Sequence, residues 1–219
     1  FGINVNKKGK ARLDQRYQEL CNRVGINFDY AVHSIGSLGS GNHFLEVGIS
    51  QNTGNTWITI HSGSRNLGKK VCEYWQDIAS KKDFIDPRIY FEKIKKNYDK
   101  SEWNKIYKKY KETIKNVKKS ELDFLDKPSD IKGYLDDMVL CQEYAKLNRQ
   151  TMKLDIIDIL NIQEIHDQIE TVHNYIDFRD NIIRKGAIKS YSGERMIIPF
   201  NMRDGILICE GKSNPEWNY

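Results

Sequence analysis

The sequence of 219 residues predicts an α+β fold, and three observations carry that prediction. Two runs rich in branched and aromatic residues, HFLEVGI and TWITI, read as strands in the first third of the chain. A stretch from Asn66 to about Asn161 then keeps helical periodicity. After it, ETVHNYIDF, NIIRKGAIKSY, RMIIPFN and GILICEG alternate with turn-like sequences such as SGE and RDG. Strands separated by short turns pair antiparallel, so a mixed, mostly antiparallel arrangement is expected around a long helical segment.

Each element has its own justification. Leu13, Tyr17, Leu20 and Val24 fall at spacings of three and four, which predicts a short amphipathic helix. HFLEVGI and TWITI are joined by the polar SQNTGN and are expected to pair. Strand alternation puts Phe44 and Glu46 on one face, with His43 and Leu45 on the other. In the Lys/Tyr/Asp-rich middle, Ile94, Tyr98, Ile106, Tyr107, Tyr110, Ile114 and Val117 recur at helical intervals. Its lysines suit RNA, although a solvated helical face is the more ordinary reading. Residues 134 to 160 form the stronger helix, whose stripe of Met138, Cys141, Tyr144, Ala145 and Met152 reads as core.

Composition excludes several classes. No apolar run approaches the ~18 to 20 residues of a membrane span. A net charge of +5 permits a polyanionic partner without requiring one. Cys21, Cys72, Cys141 and Cys209 are scattered with no CxxC, which argues against a zinc ribbon or a disulfide scaffold and suggests a reducing, cytosolic setting. No basic region followed by an apolar one marks a signal peptide.

The chemistry is concentrated in glycine-rich stretches. WITIHSGSRNLGKK delivers His61 to a strand end and then turns into a helix expected near Leu67. Gly63 lets backbone N–H groups converge on an anion, while Ser62, Ser64 and Arg65 add donors and Lys69 and Lys70 add charge. It lacks the GKS/T ending of a Walker loop, and taken alone it is equally readable as a glycine turn with a hydrogen-bonded histidine. GSLGSGNHFLEVG brings His43 to the mouth of a strand, with Asn42 able to meet a base edge or a phosphate. His173 in TVHNYIDF is again next to an Asn. Three strand-borne imidazoles suit Mn, Fe, Ni or Zn, although their separations match no local zinc signature. His33 and His166 have no such setting and read as surface or capping residues.

Taken in order, GSLGSGNHFLEVG, HSGSRNLG, YLDDMVLCQEYAKLNRQ, VHNYI, IIRKGAI and IIPFNMRDGILICEGKSNPE resemble the RtcB family of RNA ligases over most of the chain. The resemblance implies one RtcB-like domain portion over residues 1–219. A helical segment, about 69–160, would be inserted between the HSGSR and VHN strands. It further implies GTP- and Mn2+-dependent joining of RNA 3′-phosphate or 2′,3′-cyclic phosphate ends to 5′-hydroxyl ends, in tRNA splicing or RNA repair in the cytoplasm. A histidine would take guanylate from GTP, pass it to the RNA 3′-phosphate, and the 5′-hydroxyl would displace it.

Carried over residue by residue, the resemblance makes His43, His61 and His173 ligands of one or two manganese ions. Asn42, Phe44, Glu46 and Asn174 fall around the guanylate. Arg65 and Glu46 are the catalytic candidates, and Arg65, Arg184 and Lys185 the RNA-binding ones. The family's upstream Asp and Cys ligands and its downstream guanylated histidine are not matched within these residues, since Cys21 in ELCNRVG lacks the context. The family's PGSMG is replaced by PFNMRDG at 199 to 205. The alternatives are an excised or diverged ligase portion, a non-catalytic RNA-binding module using Arg65, Lys69, Lys70 and the Lys/Tyr-rich helices, and a metal-dependent phosphoesterase needing only the three histidines.

Overall fold

A computed structural model describes residues 13–80, 87–116, 123–201, 203–212, 214 and 216. Val117, expected on a helical stripe, lies outside them. In chain order the elements are α1 (Gln15–Val24), α2 (Phe28–His33), β1 (Phe44–Ile49), β2 (Thr56–His61), α3 (Arg65–Ser80), α4 (Pro87–Asn97), α5 (Trp103–Asn116), α6 (Pro128–Ile159), β3 (Asn174–Asp177), β4 (Ile182–Lys185), β5 (Arg195–Asn201) and β6 (Gly205–Glu210). The α+β expectation holds. Every described strand pair is antiparallel, and the strands form three separate two-stranded sheets, β1–β2, β3–β4 and β5–β6.

Among the described residues, the stretch expected to be continuously helical holds four helices. Proline supplies no N–H and presets a helical φ, so it starts helices well, and Pro87 and Pro128 open α4 and α6. The polar Tyr98–Glu102 segment separates α4 from α5. At 32 residues, α6 contributes both to the core, through Tyr144, and to the site, through Arg149.

The core gathers on α6. Tyr17, Leu20 and Cys21 from α1, Ala31 from α2, Leu67, Val71 and Trp75 from α3, and Tyr144 from α6 form one buried cluster. Asp14 caps α1 by accepting from the Arg16 N–H, and Gly25 ends it in the left-handed region at φ +73° with its N–H on the Cys21 carbonyl. Polar groups inside the cluster are partnered, as burial requires: the Tyr144 hydroxyl donates to the Ala31 carbonyl at 2.5 Å, and Trp75 Nε1 donates to Asp137 Oδ2 at 2.8 Å. Arg23 closes an ion pair with the same buried Asp137. Gly133 leaves room for the Trp75 ring, since a Cβ there would stand 2.7 Å from its edge. Burial of this cluster fixes α3 against α6, and therefore fixes the loop that leads into α3.

The last strands are shorter than the sequence suggests. β3 begins only at Asn174, one residue after His173, and β4 ends at Lys185 because Gly186 turns into the left-handed region at φ +68°. β5 and β6 match the expected runs RMIIPFN and GILICEG, with an irregular register between Pro199 and Asn201.

Candidate active site

The antiparallel register of β1 and β2 places Phe44 opposite His61, so the end of one strand meets the start of the other. His43 sits one residue ahead of β1, where the pleat no longer governs its direction. Strand alternation predicted His43 and Phe44 on opposite faces. Instead both rings adjoin His61, at centroid distances of 5.7 and 5.1 Å. The ring of His173 also approaches His61, at 5.4 Å. His61 is thus in ring contact with both of the other histidines.

Their nitrogens are arranged unequally. His61 Nε2 and His173 Nε2 face each other at 3.2 Å. Two imidazole nitrogens each ~2.0–2.1 Å from one tetrahedral ion stand about 3.3 Å apart, so this pair has the spacing of two donors to a single cation. His43 is turned differently, with Nδ1 3.2 Å from Arg65 Nη1. Among the described residues no group of three or more His, Cys, Asp or Glu side chains has the geometry to hold a metal. His61 Nδ1 is buried without a hydrogen-bond partner among the described residues. Burial, and after it the positive charge of Arg65, lowers the pKa of His43. Burial, then His173 and His43, lowers that of His61. Both imidazoles are thereby kept neutral, the form that binds metal.

The loops that carry these histidines are tied together by one side chain. Asn148 on α6 is fully buried, and its Oδ1 accepts from the Gly36 and Ser37 N–H groups at 2.8 and 3.1 Å. Its Nδ2 donates to Ser62 Oγ at 2.9 Å and to the Ser37 and Gly63 carbonyls at 3.2 Å each. One amide thus joins the loop before His43 to the loop after His61. Next to it, Arg149 donates to the Ser62 carbonyl at 3.2 Å and pairs with Glu170 at 2.6 Å. Neither residue was singled out in the sequence, because an Asn-Arg pair inside a polar helix face carries no local signal.

Arg65 adds a third tie. It occupies the left-handed region at φ +57°, an uncommon and costly conformation for a residue with a side chain. Its guanidinium donates to Ser37 Oγ at 3.1 Å and the Leu38 carbonyl at 3.2 Å. Gly39, at φ +102°, leaves the space: a Cβ there would fall 1.8 Å from Arg65 Nη1.

A cavity of about 640 Å3 opens beside the His61–His173 pair. Asn42, Phe44 and Asn174 contribute to its wall, while Glu46 lies farther along the inner face of β1, opposite Thr59 and outside that wall. The far wall is one stripe of α6, Met138, Cys141, Gln142, Ala145 and Arg149, completed by Ile197, Pro199 and Ile206 of the last hairpin. The stripe expected to be core is therefore divided: Tyr144 and Met152 are buried in the fold, and Met138, Cys141 and Ala145 face the cavity. Burial pushes the Cys141 thiol up to about 12, so it stays protonated and apolar at neutral pH.

The remaining candidates are placed elsewhere. Arg184 is only 4% exposed, with ion pairs to Asp180 at 3.0 Å and Asp177 at 3.4 Å, so its charge is already engaged within its own hairpin. Lys185 beside it is exposed. Lys69 and Lys70 both pair with Glu73. Cys21 is buried in the helical core, and all four cysteines are free. His33 and His166 are exposed, as expected.

The family model described as tRNA-splicing ligase RtcB matches residues 15–219. The chain belongs to the RtcB family. It is 28% identical over 233 aligned residues to RNA-splicing ligase RtcB1 of Escherichia coli strain ATCC 25922, covering 98% of this chain and 50% of that protein. RNA-splicing ligase RtcB of E. coli K12 is 27% identical over the same proportions. RNA-splicing ligase RtcB homolog 1 of Entamoeba dispar is 37% identical over 68 residues, which is 24% of this chain and 12% of that one. The chain spans about half the length of the E. coli RtcB relatives it matches. No solved structure matches. None of the described helices is long and apolar enough to cross a membrane.

Proposed function

We propose that this chain supplies the histidine centre and part of the nucleotide pocket of a GTP- and Mn2+-dependent RNA ligase that joins 3′-phosphate or 2′,3′-cyclic phosphate ends to 5′-hydroxyl ends. The observation that carries the reading is the 3.2 Å approach of His61 Nε2 to His173 Nε2, at the edge of a cavity that Asn42, Phe44 and Asn174 help to line. His61 and His173 are the residues that would hold manganese, and His43, in ring contact with His61, is the third candidate ligand. A bound manganese ion supplies charge stabilisation for phosphoryl oxygens. The protein's own part is to keep His61 and His43 neutral, to present the Phe44 ring and the Asn42 and Asn174 amides to a nucleotide, and to keep a fixed positive charge at Arg65 beside them. Cytoplasmic RNA with these end groups is the proposed substrate.

The test is manganese titration by calorimetry, followed by an RNA-joining assay with GTP and substrates bearing 3′-phosphate and 5′-hydroxyl ends. Expected are stoichiometric binding by the chain, its loss in His61→Ala and His173→Ala, and, in a ligase that joins this chain to segments carrying the upstream Asp/Cys and downstream guanylated-histidine motifs, joining that needs both GTP and manganese. Metal binding that survives both substitutions, or joining indifferent to GTP, overturns the proposal.

A further inference from the structure

The α4–α5 hairpin differs in charge from the rest of the molecule. Residues 87–116 hold ten Lys and Arg against four Asp and Glu, a net of +6, while the whole chain carries +5. All other residues together therefore sum to −1. The positive charge of this protein is a property of one hairpin.

A solvated helical face usually neutralises itself with acidic residues three or four positions away, as Lys69 and Lys70 do with Glu73 on α3 and Lys132 does with Asp136 on α6. The hairpin does so only in part. Lys95 pairs with Glu92, and Lys95 and Lys111 also sit over the rings of Phe91 and Tyr107. Lys96, Lys100, Lys105 and Lys108 are exposed and make no ion pair among the described residues. Left without counter-charges, such a surface repels itself, and a polyanion relieves that repulsion by releasing counterions.

The hairpin is also built to hold these lysines in place. Tyr90 and Tyr110 stack at 3.7 Å, Phe91 packs on Tyr107 at 4.7 Å, and Ile94 is buried. Its apolar side is thus spent on closing α4 against α5. Among its described residues the exposed large apolar side chains are Ile89 and Tyr98, too few to make an apolar face for a lipid surface.

We infer that the α4–α5 hairpin is an RNA-binding surface that grips phosphates without reading sequence, through Lys96, Lys100, Lys105 and Lys108. The choice of RNA over another polyanion rests on the ligase reading. The surface itself rests on charge and packing alone.

The test is binding of a mixed-sequence single-stranded RNA to the full chain by fluorescence anisotropy across a range of salt, with EDTA present throughout. Lys96→Gln/Lys105→Gln/Lys108→Gln is expected to weaken binding about ten-fold or more at low salt. Each phosphate contact on a single strand contributes about 0.7 to the slope of log affinity against log salt, so the triple variant is expected to lower that slope by about 2. Circular dichroism should be unchanged, because the three side chains are exposed. Unchanged affinity and slope overturn the inference, as does a variant that loses affinity for anionic vesicles but keeps it for RNA. EDTA separates this result from the ligase reading: failure of His61 and His173 to bind metal would sink that reading and leave the salt slopes as measured.

Discussion

The two histidines that face each other across the cavity are held in different ways. His61 ends β2, and the residues after it are fastened to α6 by Asn148 and Arg149 and to the preceding loop by Ser62, whose hydroxyl donates to the Leu38 carbonyl at 2.8 Å. His173 precedes β3, whose hairpin is organised by its own charges. Asp177 accepts from Arg179, Arg184 lies between Asp177 and Asp180, and Tyr191 donates to Asp180. Arg179 holds the Asp177 carboxyl down at about 2. The links between the arms include the Nε2 contact and Arg149, which reaches from the Ser62 carbonyl to Glu170. The first arm is pre-organised by the helical core. The second is organised by its own ion pairs and touches the first through few contacts, so a shared cation would strengthen the joint between them.

The largest way to break the first arm is Asn148→Ala. It strands the Gly36 and Ser37 N–H groups and the Ser62 and Gly63 acceptors in the interior, at ~1–3 kcal/mol for each group left unpaired. A loss of about 3 kcal/mol or more is expected in urea unfolding, with faster hydrogen exchange at Gly36 and Ser37. Leu147→Ala provides the comparison: a buried leucine lost from the same helix costs ~2–5 kcal/mol but should leave those two amides protected in the native state.

Gly39→Ala comes next. The added methyl meets the Arg65 guanidinium at a φ that favours glycine, and strain of ~1–3 kcal/mol is expected. The His43 ring resonances should move with it, because Arg65 donates to that ring. Arg149→Ala should cost about 1 kcal/mol, since its pair with Glu170 is partly exposed. Its diagnostic effect is on the joint, with faster exchange of the amides around His173 than of those around His61.

Acid sharpens the comparison further. His43 and His61 have pKa values lowered on folding from 6.5, so below that value the unfolded chain binds more protons than the folded one. Stability is therefore expected to fall as the pH drops through 6.5, and the fall should shrink in His61→Gln. Lys185→Ala, at an exposed position, should change stability by less than ~0.5 kcal/mol.

How much of this was legible in the sequence depends on the range of the interaction. The β1–β2 hairpin and its histidine ends could be read from strand-forming residues and a polar connection, because those signals are local. The helix breaks at Pro87 and Pro128 were also written in the chain, but continuous periodicity masked them. The division of the α6 stripe could not be read, since Met138, Cys141 and Ala145 are as apolar as a core requires and it takes the distant histidine loops and last hairpin to turn their side into a cavity wall. Asn148 was silent for the same reason: a polar residue in a long helix looks solvated until two loops close over it. Arg184 had the opposite fate, a cation expected to meet RNA that Asp177 and Asp180 engage first. The reversal of His43 came from the strand beginning one residue later than its sequence pattern suggested.

The central claim is that His61 and His173 hold one cation between an anchored arm and a tethered one. Pulsed EPR on the manganese-loaded chain with 15N-labelled histidine measures it most directly. The account expects nitrogen couplings from directly bound imidazoles, diminished by one ligand in His61→Ala and again in His173→Ala. A spectrum without histidine nitrogen coupling, or one that neither substitution alters, would contradict it.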